Sequence, residues 1–377
     1  MEGNKWTLRV KDFRVLDRFD WSPSGVCLLA APNGRGKTTT LDVLLFLSRL
    51  FGWGHESALN VVGGSHLKRI GSPDEDPVFI ELEIGDIVWS LRFPMTSTGM
   101  AGHYGEELRH KGKLILRAGM SENAWYLGTK EMPHDEMRCC TKVLWDRGES
   151  DWLRPLFNLL NGIRIYKSYW LNQVQRLESV DSKDSFLHGT GRNLWSVLSN
   201  WKGAAIRYRG QFDWVMTETR KAFPGLFHTA EFDRGLPFLY GPDATDPADG
   251  LPPSRAPDGL LTGLLHLTAV AGAHPGAVIA IDEMENQLHP HAIRSILAAM
   301  RSQAEERNLT IILTTHSPVL MNEYKGQEDQ LFLLKWDSSS QTLPITLYDE
   351  LGPDWLAHFS PGDLYDNEEF GSPRSEG

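Results

Sequence analysis

Cysteine is scarce: Cys27, Cys139 and Cys140 are the three in a chain of 377 residues. Three thiols make no disulfide framework, and an adjacent pair without matching Cys or His partners has no zinc-ligand spacing, so a reducing cytoplasm is expected. Basic charge is also short, with 38 Lys and Arg against 49 Asp and Glu and a net charge of −11. Extensive coating of nucleic acid is disfavoured, because phosphate neutralisation needs clustered cations. The strip Lys5, Arg9, Lys11, Arg14 and Arg18 reads as a solvated face rather than a DNA groove. The longest apolar run, Gly259 to Ala273, contains His266 and falls short of the ~20 residues that span a bilayer. The opening MEGNKWTLRV has no signal-peptide core, and a membrane partner is not expected. Sustained heptads and internal repeats are missing, which excludes a long coiled coil and a solenoid.

What is present is ordinary globular material, 41% hydrophobic and 23% charged, enough for a sizeable core. The length suggests two domains or one large domain with an insertion. Trp6 to Val10 alternates as a strand, Val26 to Ala30 is a continuous apolar run typical of a buried parallel strand, and Thr38 to Phe51 has helical spacing. VFIELEI and DIVWSLRF, separated at Gly85 and Asp86, predict a hairpin. Lys113 to Arg117 and Ala124 to Leu127 extend that β lobe, with Met95 to Gly105 as a loop. The pattern from Asp151 to Phe223 is mainly helical, clearest at Leu194 to Leu198 and Phe212 to Ala222. GPDATDPADGLPPSRAP, residues 241–257, predicts an exposed or mobile loop. After it come a helix from Gly259, a strand Ala277 to Ile281, a helix His291 to Glu306, and strands Thr310 to Thr314 and Gln330 to Lys335, the alternation of a parallel α/β core. Most of the thirteen Trp lie in mixed apolar patterns that favour packing over base stacking.

Chemistry enters at APNGRGKT, residues 31–38. Between a strand and a helix, Asn33, Gly34, Arg35 and Gly36 let successive backbone N–H groups turn inward towards phosphate oxygens. Lys37 supplies a point charge, the Thr38 hydroxyl can hold magnesium, and Thr39 follows in the first helical turn. AVIAIDE, residues 277–283, brings Asp282 and Glu283 to the carboxyl end of an apolar strand, where parallel sheets place their ligands. Asp282 suits magnesium, and Glu283 suits orienting the water that attacks a γ-phosphate. TTHSP, residues 314–318, ends a third apolar strand with His316, placed to reach that phosphate or water. Asp258 and Gly259 open an apolar helix, and two readings stand: an N-capped core helix, or a helix terminus that offers amides to a phosphate on another subunit. His289 and His291 have no second pair nearby, so a loop between subunits is preferred to a metal site.

In this order the elements resemble ATP-binding cassette ATPases, specifically the RecF, SMC and OLD-like branch. IDEMENQLHP (281–290), ILTTHSPVL (312–320) and HGTGRNLWSVL (188–198) are similar to that branch's motifs, over roughly Trp6 to Lys335. The resemblance implies an α/β fold, a P-loop ABC-type ATPase head with an N-terminal β lobe and a helical insertion. Its parts would be a parallel core from 1–60 and 260–340, a β lobe at 70–130, a helical insertion with a mobile loop at 150–258, and a C-terminal tail at 341–377. It implies ATP and Mg2+ as ligands, a homodimer closed around ATP, Glu285 to Pro290 as the loop facing the second subunit, and Asp258 and Gly259 acting in trans. Pro257 stands where the branch usually has Ser, which puts the trans hydroxyl contact in doubt; Ala31, Arg35, Met284 and Gln287 are milder departures. The linking Gln is not evident, since Gln173 and Gln175 read as surface polarity. Relatives of this branch regulate nucleases or toxins in anti-phage defence, or act on DNA in repair; the nucleotide-binding subunit of a transporter is a third reading. The sequence after His316 carries no dispersed carboxylate cluster for a nuclease, so a separate effector protein is expected.

Overall fold

The computed structural model describes residues 5–64, 66–96, 99–119, 124–133, 138–148, 150–176, 184–204, 206–336 and 342–366. Six strands form the central sheet, in the order Arg164–Tyr166, Val278–Ile281, Thr310–Thr315, Val26–Ala30, Leu331–Trp336 and Thr342–Thr346. The first five run parallel and the last is antiparallel. Val26–Ala30 is buried along its whole length because both faces of the sheet are covered, which is why its sequence is continuously apolar instead of alternating. Strand periodicity then sorts its side chains. Leu28, Ile279, Ile311 and Leu313 join one core with the helices Asp258–Ala271 and Pro290–Arg307. Cys27, Leu29, Val278, Ala280 and Ile312 join a second core with the helix Lys37–Trp53 and the β lobe.

The lobe is an eight-stranded sheet with antiparallel pairing throughout. Val78–Ile84 alternates buried and half-buried residues, and Ile84 pairs Ile87 across the Gly85–Asp86 turn. The lobe's buried face meets the helix Lys37–Trp53 through edge-on aromatic contacts, Phe46 with Phe93 at 5.1 Å between centroids and Phe51 with Trp89 at 6.0 Å. Trp6, Trp21, Trp89, Trp125, Trp195 and Trp201 are buried, so these indoles are packing groups. Three members of the basic strip are paired with carboxylates. Arg9 bonds Asp20, Glu81 and Glu83, Lys11 lies against Asp76, and Arg14 pairs with Asp42.

The structure departs from the expected organisation in several places. Trp6–Phe13 and Leu16–Trp21 belong to the lobe sheet and not to the parallel core, because their alternation leaves one face for solvent. The region read as a loop from Met95 holds two-residue strands, Met95–Thr96 and Gly99–Met100. The helical insertion contains a hairpin, Thr229–Asp233 with Leu236–Tyr240, turned by Arg234 and Gly235 at φ 50° and 81°. Residues 241–257 are mostly exposed, as expected, but also tied down. The Asp246 side chain accepts from the Ala248 amide and Asp249 from the Thr245 and Asp246 amides, Leu239 and Leu251 exchange backbone bonds, and Pro253 and Ala256 are buried. Exposure of the acidic turns hid this from composition, which sees polarity but not capping. The region taken as a tail begins with the edge strand Thr342–Thr346 and continues into Leu347–His358 and Pro361–Asp366, with Leu364 buried. The rest of the acidic tail, 367–377, lies outside the described residues.

Candidate functional site

The site sits at the carboxyl edge of the central sheet. After Val26–Ala30 the chain turns through Gly34 at φ 76° and Gly36 at φ 101°, conformations costly for any side chain with a Cβ, and enters the helix at Lys37. Gly36 is the residue before the helix, and its carbonyl takes the first helical bond, from the Thr40 amide at 2.8 Å. Asn33 and Gly34 are exposed, and Arg35 and Thr39 half-buried. Lys37 is buried and donates to the Ala31 and Pro32 carbonyls at 2.6 and 3.3 Å, folding across its own loop. Burial pushes its ammonium below the ordinary lysine value, and the charges of Asp282, Glu283 and Glu285 pull it back up.

The Thr38 hydroxyl donates to Asp282 Oδ2 at 2.8 Å. That bond joins the first motif to the second across 244 residues of chain. The neighbouring strand supplies Thr314, whose hydroxyl bonds Asp282 Oδ1 and accepts from the Glu283 amide at 3.0 Å. Glu283 lies in the left-handed region at φ 48°, a conformation that turns the chain sharply out of the strand. Its Oε1 is 3.5 Å from His316 Nδ1, and its Oε2 accepts from Asn286 at 2.9 Å. Both His316 and Glu283 are about half exposed, so they face open space at the sheet edge. A hydroxyl and a carboxylate at hydrogen-bond distance form an oxygen donor set of the kind that suits magnesium. Among the described residues no group of three His, Cys, Asp or Glu side chains could hold a metal on its own.

Asp258 and Gly259 stand apart from this edge in their contacts. The residue before the helix is Pro257, so Asp258 is the first helical residue and does not act as a side-chain cap. Its carboxylate instead accepts from Gln175 Nε2 at 2.7 Å, and it is exposed. Gly259 is required by close approach: a Cβ there would lie 2.6 Å from the Gln287 carbonyl. The Asp–Gly helix thus docks on the loop that follows Glu283, and Thr262 hydrogen-bonds Gln287 from the next turn. His289 accepts from the His291 amide at the start of the helix Pro290–Arg307, and His291 meets the Lys221 carbonyl at 3.2 Å, so the two rings serve separate contacts.

Several residues here were not singled out from the sequence. Thr314 was inside a noted motif but carried no role. Gln175 was read as surface polarity and is a partner of Asp258. Tyr169 and His266 line one cavity of about 280 Å³ with Thr262, Asp282, Glu283 and Gln287. The only sequence signal for His266 was a polar ring in an otherwise apolar run.

Residues 236–322 match the family model described as "AAA domain, putative AbiEii toxin, Type IV TA system". That stretch holds the Asp–Gly helix, the acidic strand and His316. Comparison with curated proteins gives no match. Among solved structures, the chain is similar to an Smc head bound to the C-winged helix domain of ScpA, with 12% identity, a TM-score of 0.52, and coverage of 92% of this chain and 100% of that one. Two others are the SMC head domain from Thermotoga maritima (12%, TM-score 0.44, 91% and 99% covered) and an Smc head with an extended coiled coil bound to the C-terminal domain of ScpA derived from Pyrococcus furiosus (12%, 0.48, 94% and 98%). At such identity the likeness is one of fold, and the first of the three carries it. Among the described residues no helix is long and apolar enough to cross a membrane. The chain thus has the fold of an SMC head domain, and residues 236–322 match the AAA-domain family model.

Proposed function

We propose that this chain is an ATP-hydrolysing switch subunit that dimerises around ATP and magnesium and regulates a separate effector protein, a nuclease or toxin, in prokaryotic anti-phage defence. The observation that carries the nucleotide reading is the 2.8 Å bond from Thr38 to Asp282, with Glu283 and His316 beside it at 3.5 Å. Lys37 and the backbone of residues 33–39 would hold the phosphates, and Thr38 with Asp282 would hold the metal. Magnesium supplies charge neutralisation between the phosphates when bound. Glu283 orients the attacking water, and His316 senses the γ-phosphate through its contact with Glu283. Catalysis on this reading is positioning and charge stabilisation.

Dimerisation is inferred from the Asp–Gly helix. Its N-terminus carries the positive end of the helix dipole, and its contacts run to Gln175 and Gln287. A second copy would bring that terminus to the phosphates of the first. The defence reading is supported by the family description, which names a toxin of a type IV system, and a protein partner by the ScpA complex of a similar fold. A RecF-like role on DNA draws less support, because Arg9, Lys11 and Arg14 are already paired with carboxylates. The test is hydrolysis of ATP by the purified chain, with its mass in solution measured with and without ATP for wild type and Glu283→Gln. The variant is expected to accumulate as an ATP-bound dimer; a monomer at saturating ATP would overturn the dimer, and absence of ATP binding the whole reading. Copurification of a nuclease or toxin encoded beside it supports the defence role, and a membrane permease in that place would overturn it.

A further inference from the structure

His266 lies in the Asp–Gly helix and is 2% exposed. Its Nδ1 is 3.1 Å from the Tyr169 hydroxyl, and its Nε2 is 3.1 Å from the Met284 carbonyl. A carbonyl only accepts, so Nε2 must carry the proton; Nδ1 is then a lone pair, and the Tyr169 hydroxyl donates to it. Every hydrogen-bond direction in the chain Tyr169, His266, Met284 is therefore fixed. Burial pushes the imidazole down to about 4, which keeps the ring neutral and this tautomer in place.

Both ends of the chain meet the nucleotide edge. Met284 follows Glu283, whose left-handed φ of 48° is disfavoured for a residue with a Cβ and persists only where neighbours hold it. Thr314 grips the Glu283 amide on one side, and His266 grips the Met284 carbonyl on the other. Tyr169 is itself wedged: a Cβ at Gly191 would lie 2.8 Å from its ring and 2.5 Å from Leu265, so position 191 leaves room only for glycine. Tyr169 also sits three residues past the edge strand Arg164–Tyr166, whose last carbonyl accepts from the Asp282 amide at 2.9 Å.

We infer that Tyr169 and His266 form a rigid strut that sets the turn at Glu283 and thereby aims its carboxylate, joining the Asp–Gly helix and the loop after the edge strand to the hydrolytic step. They are positioning residues, and the inference rests on the proposed role of Glu283. The strut gives a route by which closure of a dimer on the Asp–Gly helix is felt at the water-orienting carboxylate of the same chain.

The test compares ATP hydrolysis by wild type, His266→Leu, His266→Gln and Tyr169→Phe, with ATP affinity measured separately. His266→Leu is expected to lower kcat about tenfold, the loss of one buried hydrogen bond, with KM within about twofold. His266→Gln keeps a donor towards Met284 and is expected to recover to within about threefold of wild type. Unchanged kcat in His266→Leu, or a Gln variant as slow as Leu, overturns the strut. Should His266→Leu fail to fold, Tyr169→Phe decides alone, since it removes one hydroxyl and keeps the ring; a wild-type kcat there overturns the proposal. Nitrogen-15 spectra of the histidines in the wild-type chain read the strut without any hydrolysis. A neutral Nε2–H ring at His266 supports it and a Nδ1–H ring overturns it, whereas a wild-type chain that does not hydrolyse ATP defeats the proposed function instead.

Discussion

The carboxyl edge of the central sheet and the start of the Asp–Gly helix are both candidate phosphate-binding surfaces, but only the first is internally connected. At the sheet edge three segments far apart in sequence converge in one bonded set, Thr38 with Asp282, Thr314 with Asp282 and Glu283, and Glu283 with His316. At the helix start, Asp258 is exposed and bonds one glutamine, and the Leu260 and Leu261 amides donate to the Pro257 carbonyl. The difference teaches that binding and hydrolysis need not be one property of this fold. On the proposed reading one chain holds the nucleotide, and the second surface acts when another copy arrives.

Substitutions at the two surfaces should therefore separate binding from turnover. Glu283→Gln carries the largest expected effect, a fall in kcat of about a thousandfold with ATP affinity retained, read by steady-state hydrolysis beside calorimetric binding. Lys37→Ala follows, with ATP affinity down about a hundredfold in the isolated chain; retained affinity would sink the assignment of the phosphate loop.

His266 sharpens the comparison through pH. Its folded value of about 4 is below that of an unfolded histidine, so the folded state is favoured fully above pH ~6.5 and loses this support as pH falls towards ~4. The stake is about 3 kcal/mol, and urea midpoints at pH 7.5 and 4.5 should converge in His266→Gln relative to wild type. Gly259→Ala forces a Cβ against the Gln287 carbonyl and should cost about 1–3 kcal/mol in the same denaturation assay while leaving ATP affinity unchanged. The smallest effect belongs to Asp258→Asn. It should weaken ATP-dependent dimerisation about threefold, read by sedimentation, without altering binding to the monomer. If Gly259 or Asp258 variants lost ATP affinity in the monomer, the division between the two surfaces would fail.

Much of the sheet edge was legible in the sequence because its signals are local. A strand of continuous apolar residues, a turn with two glycines and a helix state the phosphate loop within a dozen residues, and IDE and TTHSP each end an apolar strand. What stayed hidden depends on partners distant in the chain. Gln175 gained its meaning from Asp258, and Tyr169 from His266 and Gly191. The hairpin at 229–240 did leave a trace, the Arg234–Gly235 turn, but short half-buried strands inside a helical region carry too weak a period to stand out. Leu16–Trp21 was missed for a similar reason, since LDRFDW mixes charge and aromatics evenly.

Val26–Ala30 lies between Thr310–Thr315 and Leu331–Trp336 in the central sheet. Both neighbours emerge from the ribosome some 280 residues or more after it, so during synthesis this fully buried strand waits without either lateral partner. Pairing this remote in sequence is slow to form and exposes the nascent chain to association with other molecules. The same delay means that a product ending before Thr310 leaves the turn at residues 31–38 on a strand without either of its lateral partners.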